Sequence, residues 1–263
     1  MHHIPDLKRL ISLTKVWSVL NVIDKIDNIV NDNVYIFHGK RDTIVQTGVI
    51  NSTRMFYDTF IKTGNVFFDF DLDSQHGTPT VDFGEECTKL KEPFIGRCNF
   101  DGAGKGLQAI YGKESLSLGK YLPENLFEFS QIPYIEKNEK NSSIASTGYI
   151  YVPTKCQSNK HACRLHVSLH GCSQSKEFIG NVYAAHSGYN NWAENSDIVV
   201  LYPYVKPMDI HNPLGCWDWW GYTGKDYIFR NGTQIKFIKN MIDNLIPNFL
   251  PRKFKNSLQE NEV

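Results

Sequence analysis

Four short stretches carry side chains whose types and spacing suit catalysis. The first is His38-Gly39-Lys40-Arg41-Asp42, which follows the apolar run Asn33 to Phe37. A strand that runs into a glycine turn and then an aspartate can place the carboxylate that orients a catalytic histidine, and Asp42 fits that role. The second, Asp71 to Gly77, follows the run Val66 to Phe70 and puts His76 on a loop just beyond a strand. An imidazole there can reach across to a nucleophile on a neighbouring strand end and act as its base. His38, before its turn, reads instead as a packed structural histidine.

The third stretch is Arg164 to Gln174, RLHVSLHGCSQ, in which Leu165, Val167 and Leu169 alternate with His166, Ser168 and His170 before a Gly-Cys turn. Period-two alternation predicts a strand, and a strand end that offers backbone N–H groups can stabilise charge developing on a carbonyl oxygen. The fourth, Gly215 to Tyr222, GCWDWWGY, sets three Trp within four residues. Three large rings beside Gly and Cys are not easily buried together, so some of them line a hydrophobic site.

The elements that must position these groups follow from periodicity. Residues 5–29 read as a helix with a break, 33–37 as a strand, 46–62 as a helix with Met55, Phe56 and Phe60 toward the core, and 66–70 as a strand. Cys98 to Gly112 reads as a Gly-rich entry to a helix, without the Gly-Lys-Ser/Thr of a phosphate-binding loop. Residues 113–147 read as a polar, exposed connection. Residues 147–152 and 165–169 read as neighbouring strands, 183–194 as a helix, 197–203 as a buried strand, and 234–250 as an amphipathic helix, with a polar tail over 252–263. One α/β domain over residues 1–263 is the predicted organisation.

Composition narrows the function. Lys plus Arg and Asp plus Glu both number 28, so no basic excess points to nucleic acid. No run approaches a membrane span. Asp69, Asp71 and Asp73 share a face of an extended segment but lack the spaced Gly and terminal Glu of a calcium loop, so neither a metal nor a cofactor is expected. The six cysteines fall as three near pairs in sequence without zinc-finger spacing, which favours disulfides and an oxidising compartment but leaves many connectivities open. Sequons at Asn51, Asn141 and Asn231 agree with an extracellular protein, although the first 25 residues hold no signal-peptide pattern.

Together these residues resemble the poly(3-hydroxybutyrate) depolymerase family of secreted esterases, in particular its single-domain type with a circularly permuted α/β-hydrolase fold. The segments that carry the resemblance are FHGKRDTIV at 37–45, HGTPTVDF at 76–83, CNFDGAGKGLQAIYG at 98–112, LHVSLHGCSQ at 165–174, GYNNWAENSDIVVLYP at 188–203 and NPLGCWDWWGYTGKDY at 212–227. The resemblance implies that Asp42 and His76 are two members of a catalytic triad and that the Cys172 backbone N–H belongs to the oxyanion hole. It implies that Trp217, Trp219 and Trp220 lie where polymer binds. With sequence proximity, it pairs Cys87 with Cys98, Cys156 with Cys163, and Cys172 with Cys216. The implied ligand is a polyester or a short-chain ester, with no nucleic acid and no membrane as partner. Oligomeric state stays open.

The departure from the family pattern is the nucleophile. No Gly-x-Ser-x-Gly occurs in the chain, and the 41 residues before Asp42 offer only Ser12 and Ser18, both on a predicted helix without a nearby glycine. A helical serine lacks the strained turn that projects a nucleophilic oxygen. The expectation is therefore an α/β-hydrolase domain short of about 100 N-terminal residues, a length set by the βα units such a sheet needs, and inactive alone. The alternative is a non-catalytic secreted protein that binds hydrophobic polyester or another apolar ligand through its Trp-rich loop.

Overall fold

The computed structural model describes residues 3–136, 142–158 and 162–249. The chain forms two compact units that divide between Leu116 and Ser117. The sequon at Asn141 and the polar tail over 252–263 lie outside the described residues.

The first unit opens with helix α1 (Leu7–Val19), whose Asp6 side chain caps it by accepting from Arg9 N–H at 3.1 Å. Strand β1 (Asn33–Phe37) follows, then α2 (Thr47–Phe60) and β2 (Asn65–Asp69). β1 and β2 pair in parallel, with Phe37 opposite Asp69. Parallel strands need a crossover, and α2 supplies it. α2 buries Phe60, but Met55 is exposed, contrary to the predicted inward set: the helix covers the sheet with one stripe, and Met55 falls outside it. Three short strands not predicted from sequence come next: β3 (Thr78–Thr80), β4 (Glu85–Glu86) and β5 (Ile95–Arg97), in the order β3-β5-β4. They are too short for a readable alternation, and the Cys87–Cys98 disulfide ties the segments that follow β4 and β5. Helix α3 (Gly102–Tyr111), capped by Asp101 accepting from Gly104 N–H, completes the unit and buries Leu107.

The second unit holds a four-stranded sheet of β6 (Leu126–Ser130), β7 (Thr147–Tyr151), β8 (Arg164–Val167) and β9 (Ile198–Tyr202), in the order β6-β7-β9-β8. This corrects two expectations. Residues 113–147 are not simply an exposed connection, because β6 pairs antiparallel with β7, and Gln131, Ile144 and Ala145 are buried. Nor are β7 and β8 neighbours, since β9 lies between them. All five residues of β9 are fully buried, and an uninterrupted apolar strand belongs at the centre of a sheet. Burial of its larger side chains contributes about 1.5–3 kcal/mol each.

Helices cover both faces of that sheet. Val199 and Leu201 pack with Phe237 and Met241 of α7 (Thr233–Phe249) and with the Cys156–Cys163 disulfide. On the opposite face, Tyr202 donates its hydroxyl to Asn190 Oδ1 at 2.7 Å. Asn190 lies on one of three short helices, α4 (Lys176–Ile179), α5 (Val182–His186) and α6 (Tyr189–Asn195). The single helix predicted over 183–194 is thus broken. The break falls at Gly188, whose φ of 95° suits glycine and interrupts a continuous helix. Parallel strands joined through helices, with helices on the faces of the larger sheet, are the build of an α/β protein.

Candidate active site

In the first unit, the parallel pairing of β1 and β2 brings both carboxyl-end loops to one edge. The loops are stitched directly: His38 N–H donates to Asp69 O, Lys40 N–H to Leu72 O, and Arg41 N–H to Ser74 O. Gly39 is required at this turn because a Cβ there would meet Ser74 O and Oγ at 2.3 Å. The result is a contact between groups 34 residues apart, His76 Nδ1 to Asp42 Oδ2 at 2.8 Å.

Asp42 is well prepared for this contact. Its other oxygen, Oδ1, accepts from Ile44 and Val45 N–H, both at 2.8 Å. Burial pushes its carboxyl pKa up, but the hydrogen bonds from Val45, His76 and Ile44 together outweigh that push, and the group sits below the ordinary carboxylate range. An ionised carboxylate only accepts, so His76 Nδ1 carries the proton and Nε2 keeps its lone pair. Among the described residues, Nε2 has no protein partner, and the His76 side chain is 44% exposed against 7% for Asp42. A half-exposed imidazole with a free lone pair, oriented by a buried carboxylate, can take a proton from an incoming hydroxyl.

The surrounding side chains hold this corner in place. Gln75 Oε1 accepts from Thr43 Oγ1 at 3.2 Å and from Thr43 N–H at 3.3 Å. His38 is buried and bonds Val45 O through Nε2, the structural role expected for it. Asp69, Asp71 and Asp73 each face a cation, respectively Lys105, Lys40 and Arg41. Ser18 on α1 accepts Ile26 N–H with its hydroxyl oxygen, and Ser12 is exposed on the same helix.

In the second unit, β8 ends at the turn predicted to offer backbone N–H groups. Gln174 is buried there; its Oε1 accepts from Gly171 N–H at 2.8 Å, and its own N–H returns to Gly171 O. Ser173 N–H donates to Leu214 O at 2.7 Å, and Cys172 is bonded to Cys216. The Cys172 N–H donates to no protein acceptor among the described residues, and the residue is exposed. A fixed turn with a spare N–H can receive an oxyanion.

His170, which sequence reasoning passed over, holds this turn from beneath. Its Nε2 accepts from Val205 N–H at 3.2 Å, so Nδ1 carries the proton and donates to Gly171 O at 2.7 Å. Burial lowers its pKa to about 4, which keeps the ring neutral. The alternation of His166 and His170 along RLHVSLHG was visible, but not which ring is enclosed.

The three tryptophans part company. Trp217 packs against the core cluster, 6.0 Å from the His170 ring. Trp219 and Trp220 are 55% and 41% exposed and lie edge to face at 5.0 Å. The three disulfides join Cys87 to Cys98, Cys156 to Cys163 and Cys172 to Cys216, the pairs the resemblance implied. Among the described residues, no group of three or more His, Cys, Asp or Glu could hold a metal, and no helix is long and apolar enough to cross a membrane.

Comparison with known proteins gives relatives of one kind. No protein-family model matches the chain. Over 236 residues it is 39% identical to a poly(3-hydroxybutyrate) depolymerase of Delftia acidovorans, a match covering 89% of this chain and 46% of the relative. Over 249 residues it is 33% identical to a polyhydroxybutyrate depolymerase of Talaromyces funiculosus, covering 89% of this chain and 72% of that one. The chain thus spans about half the length of the first relative. The crystal structure of a PHB depolymerase from Penicillium funiculosum matches with a TM-score of 0.83 at 32% identity, over 93% of this chain and 80% of that one. A serine-to-alanine PHB depolymerase complexed with an R3HB trimer matches with a TM-score of 0.84 at 31% identity and the same coverage.

Proposed function

The chain belongs to the polyhydroxybutyrate depolymerase family, and from that premise we propose that it carries the base, the orienting carboxylate and one oxyanion donor of a serine ester hydrolase for 3-hydroxyalkanoate polyesters or short-chain esters. Asp42 holds His76 in the Nδ1–H tautomer, His76 Nε2 takes the proton of an attacking serine, and the Cys172 N–H receives the negative charge that forms on the ester oxygen. The imidazolium then returns its proton to the leaving alkoxide, and a water repeats the sequence to release the acid. The serine itself belongs in a Gly-x-Ser-x-Gly elbow, which these 263 residues do not contain. Alone they turn over ester at a residual rate at most.

The observation that carries this reading is the 2.8 Å Asp42–His76 bond with the free Nε2 beyond it. Trp219 and Trp220 contact the substrate in the same reading, with Trp217 behind them. The three disulfides fit an oxidising, extracellular setting, in which the exposed Asn51 and Asn231 are glycan acceptors, as is Asn141. A second reading, polyester binding without hydrolysis, is favoured by the exposure of Trp219 and Trp220.

One experiment separates the two. A fluorophosphonate probe is applied to the protein as its own cells make it, and the intact mass is read before and after. A single adduct supports the hydrolase; no adduct, with retained adsorption to poly(3-hydroxybutyrate) particles, supports the binder.

A further inference from the structure

Beyond the triad and the oxyanion turn, the second unit holds a carboxylate with an unusual workload. Asp218 lies inside the Trp-rich loop, between Trp217, which packs inward, and the exposed Trp219. Its Oδ1 accepts from the N–H groups of Trp220 at 3.2 Å, Gly221 at 2.6 Å and Tyr222 at 3.1 Å. Its Oδ2 accepts from Thr223 N–H at 2.8 Å and Thr223 Oγ1 at 2.6 Å. Its own N–H donates to the buried Gln234 at 2.8 Å, which anchors the loop to α7.

Five donors converge on one carboxylate that, among the described residues, pairs with no cation and does not belong to the Asp42–His76 corner. Successive backbone N–H groups that curl around an anion make a rigid nest, and here the anion is part of the chain. The start of the loop is braced separately, by the Cys172–Cys216 disulfide and by Asn212, which accepts Cys216 N–H and donates to Cys216 O and Tyr222 OH. What the nest displays is a line of three rings: Trp219 edge to face with Trp220 at 5.0 Å, and Trp220 against Tyr222 at 4.8 Å. An aromatic ledge of this kind suits the methylene and methyl groups of an aliphatic polyester chain, provided the rings are held before the ligand arrives.

We propose that Asp218 is the positioning residue of this ledge: its charge folds the 219–223 turn and so fixes Trp219 and Trp220 for contact with polyester. The inference rests on the reading of those tryptophans as the polyester contact. Asp218→Asn is the informative change, because it preserves volume while placing an NH2 donor against the Thr223 N–H and hydroxyl or against the three Trp220–Tyr222 donors. Donor then faces donor on one side of the nest, whichever way the amide turns.

The test combines amide hydrogen exchange with adsorption to poly(3-hydroxybutyrate) particles, on the full chain and on Asp218→Asn and Trp219→Ala/Trp220→Ala variants. Expected is exchange faster by about tenfold or more at Trp220 to Thr223 in Asp218→Asn, the equivalent of roughly 1.4 kcal/mol, with the amides of β9 unchanged. Adsorption should fall to that of the double Trp variant. Uniformly faster exchange, or none at 220–223, overturns the role of Asp218. So does loosened exchange with wild-type adsorption while the double Trp variant adsorbs poorly. Wild-type adsorption by the double Trp variant instead sinks the polyester reading beneath it, while the exchange data still report whether Asp218 holds the turn.

Discussion

The Asp42–His76 corner and the Trp-rich loop solve the same problem, holding functional side chains at a surface, by different means. The corner depends on strand register. Two loops meet because β1 and β2 run in parallel and end together, and the critical contact is one hydrogen bond to a half-exposed ring. The loop depends on local bracing, by a disulfide to the turn after β8, a buried Asn212 and the nest around Asp218. The first arrangement leaves an oriented imidazole half-exposed. The second leaves surfaces free to be touched, and neither requirement would be met by the other's construction.

The sharpest way to break the corner is Asp42→Asn. An amide can donate to His76 and so stabilise the wrong tautomer, and ester turnover by the protein as its cells make it should fall by about ten-thousandfold, far more than any loss of folded protein explains. Activity assays beside thermal melts check this; retained turnover would remove Asp42 from the reaction.

Next in size is the bracing of the second region. A Cys172→Ala/Cys216→Ala variant releases a link across 44 residues and should cost about 4 kcal/mol in urea unfolding on the chain-entropy account.

Acid should sharpen the comparison further. His170 has its pKa lowered from 6.5 to about 4 by burial, so between those values the unfolded chain binds a proton that the folded chain does not. Its contribution to stability is therefore complete above the unfolded pKa and is lost as pH falls through the folded one, a loss on the order of 3 kcal/mol. Asp42, also depressed, loses its contribution in the same direction, as pH falls below the ordinary carboxylate range. His170→Gln should start less stable near neutrality and lose less on acidification, as read by denaturant midpoints across that window. An unchanged acid slope would mean that the ring is not held neutral.

The smallest effect is expected at the ledge itself. Trp219 is exposed, so Trp219→Ala should change stability by less than about 0.5 kcal/mol while weakening adsorption to polyester. A large drop in melting temperature would show that the ring is structural.

Much of this was legible in the chain. Val34 to Phe37, Val66 to Phe70 and Ile198 to Tyr202 read as strands because apolar runs of that length between turn residues have few other uses. That Asp42 and His76 both follow strands was legible too, and the 2.8 Å bond between them bears out their proximity. The short strands Thr78–Thr80, Glu85–Glu86 and Ile95–Arg97 were not legible, because two or three residues show no period. Leu126 to Ser130 was lost among the polar residues that flank it. The break at Gly188 was hidden in a stretch whose composition suits a helix throughout.

What the sequence determined by itself was therefore the candidate groups and most of the elements that carry them, since both depend on local residue type and spacing. Tertiary structure decided the rest. It placed β9 between β7 and β8, buried His170 while leaving His76 half-exposed, and turned Trp217 inward while Trp219 and Trp220 stayed exposed. Each of these depends on hydrogen bonds and burial between residues far apart in the chain, and no local pattern encodes which partner a buried donor or acceptor will find.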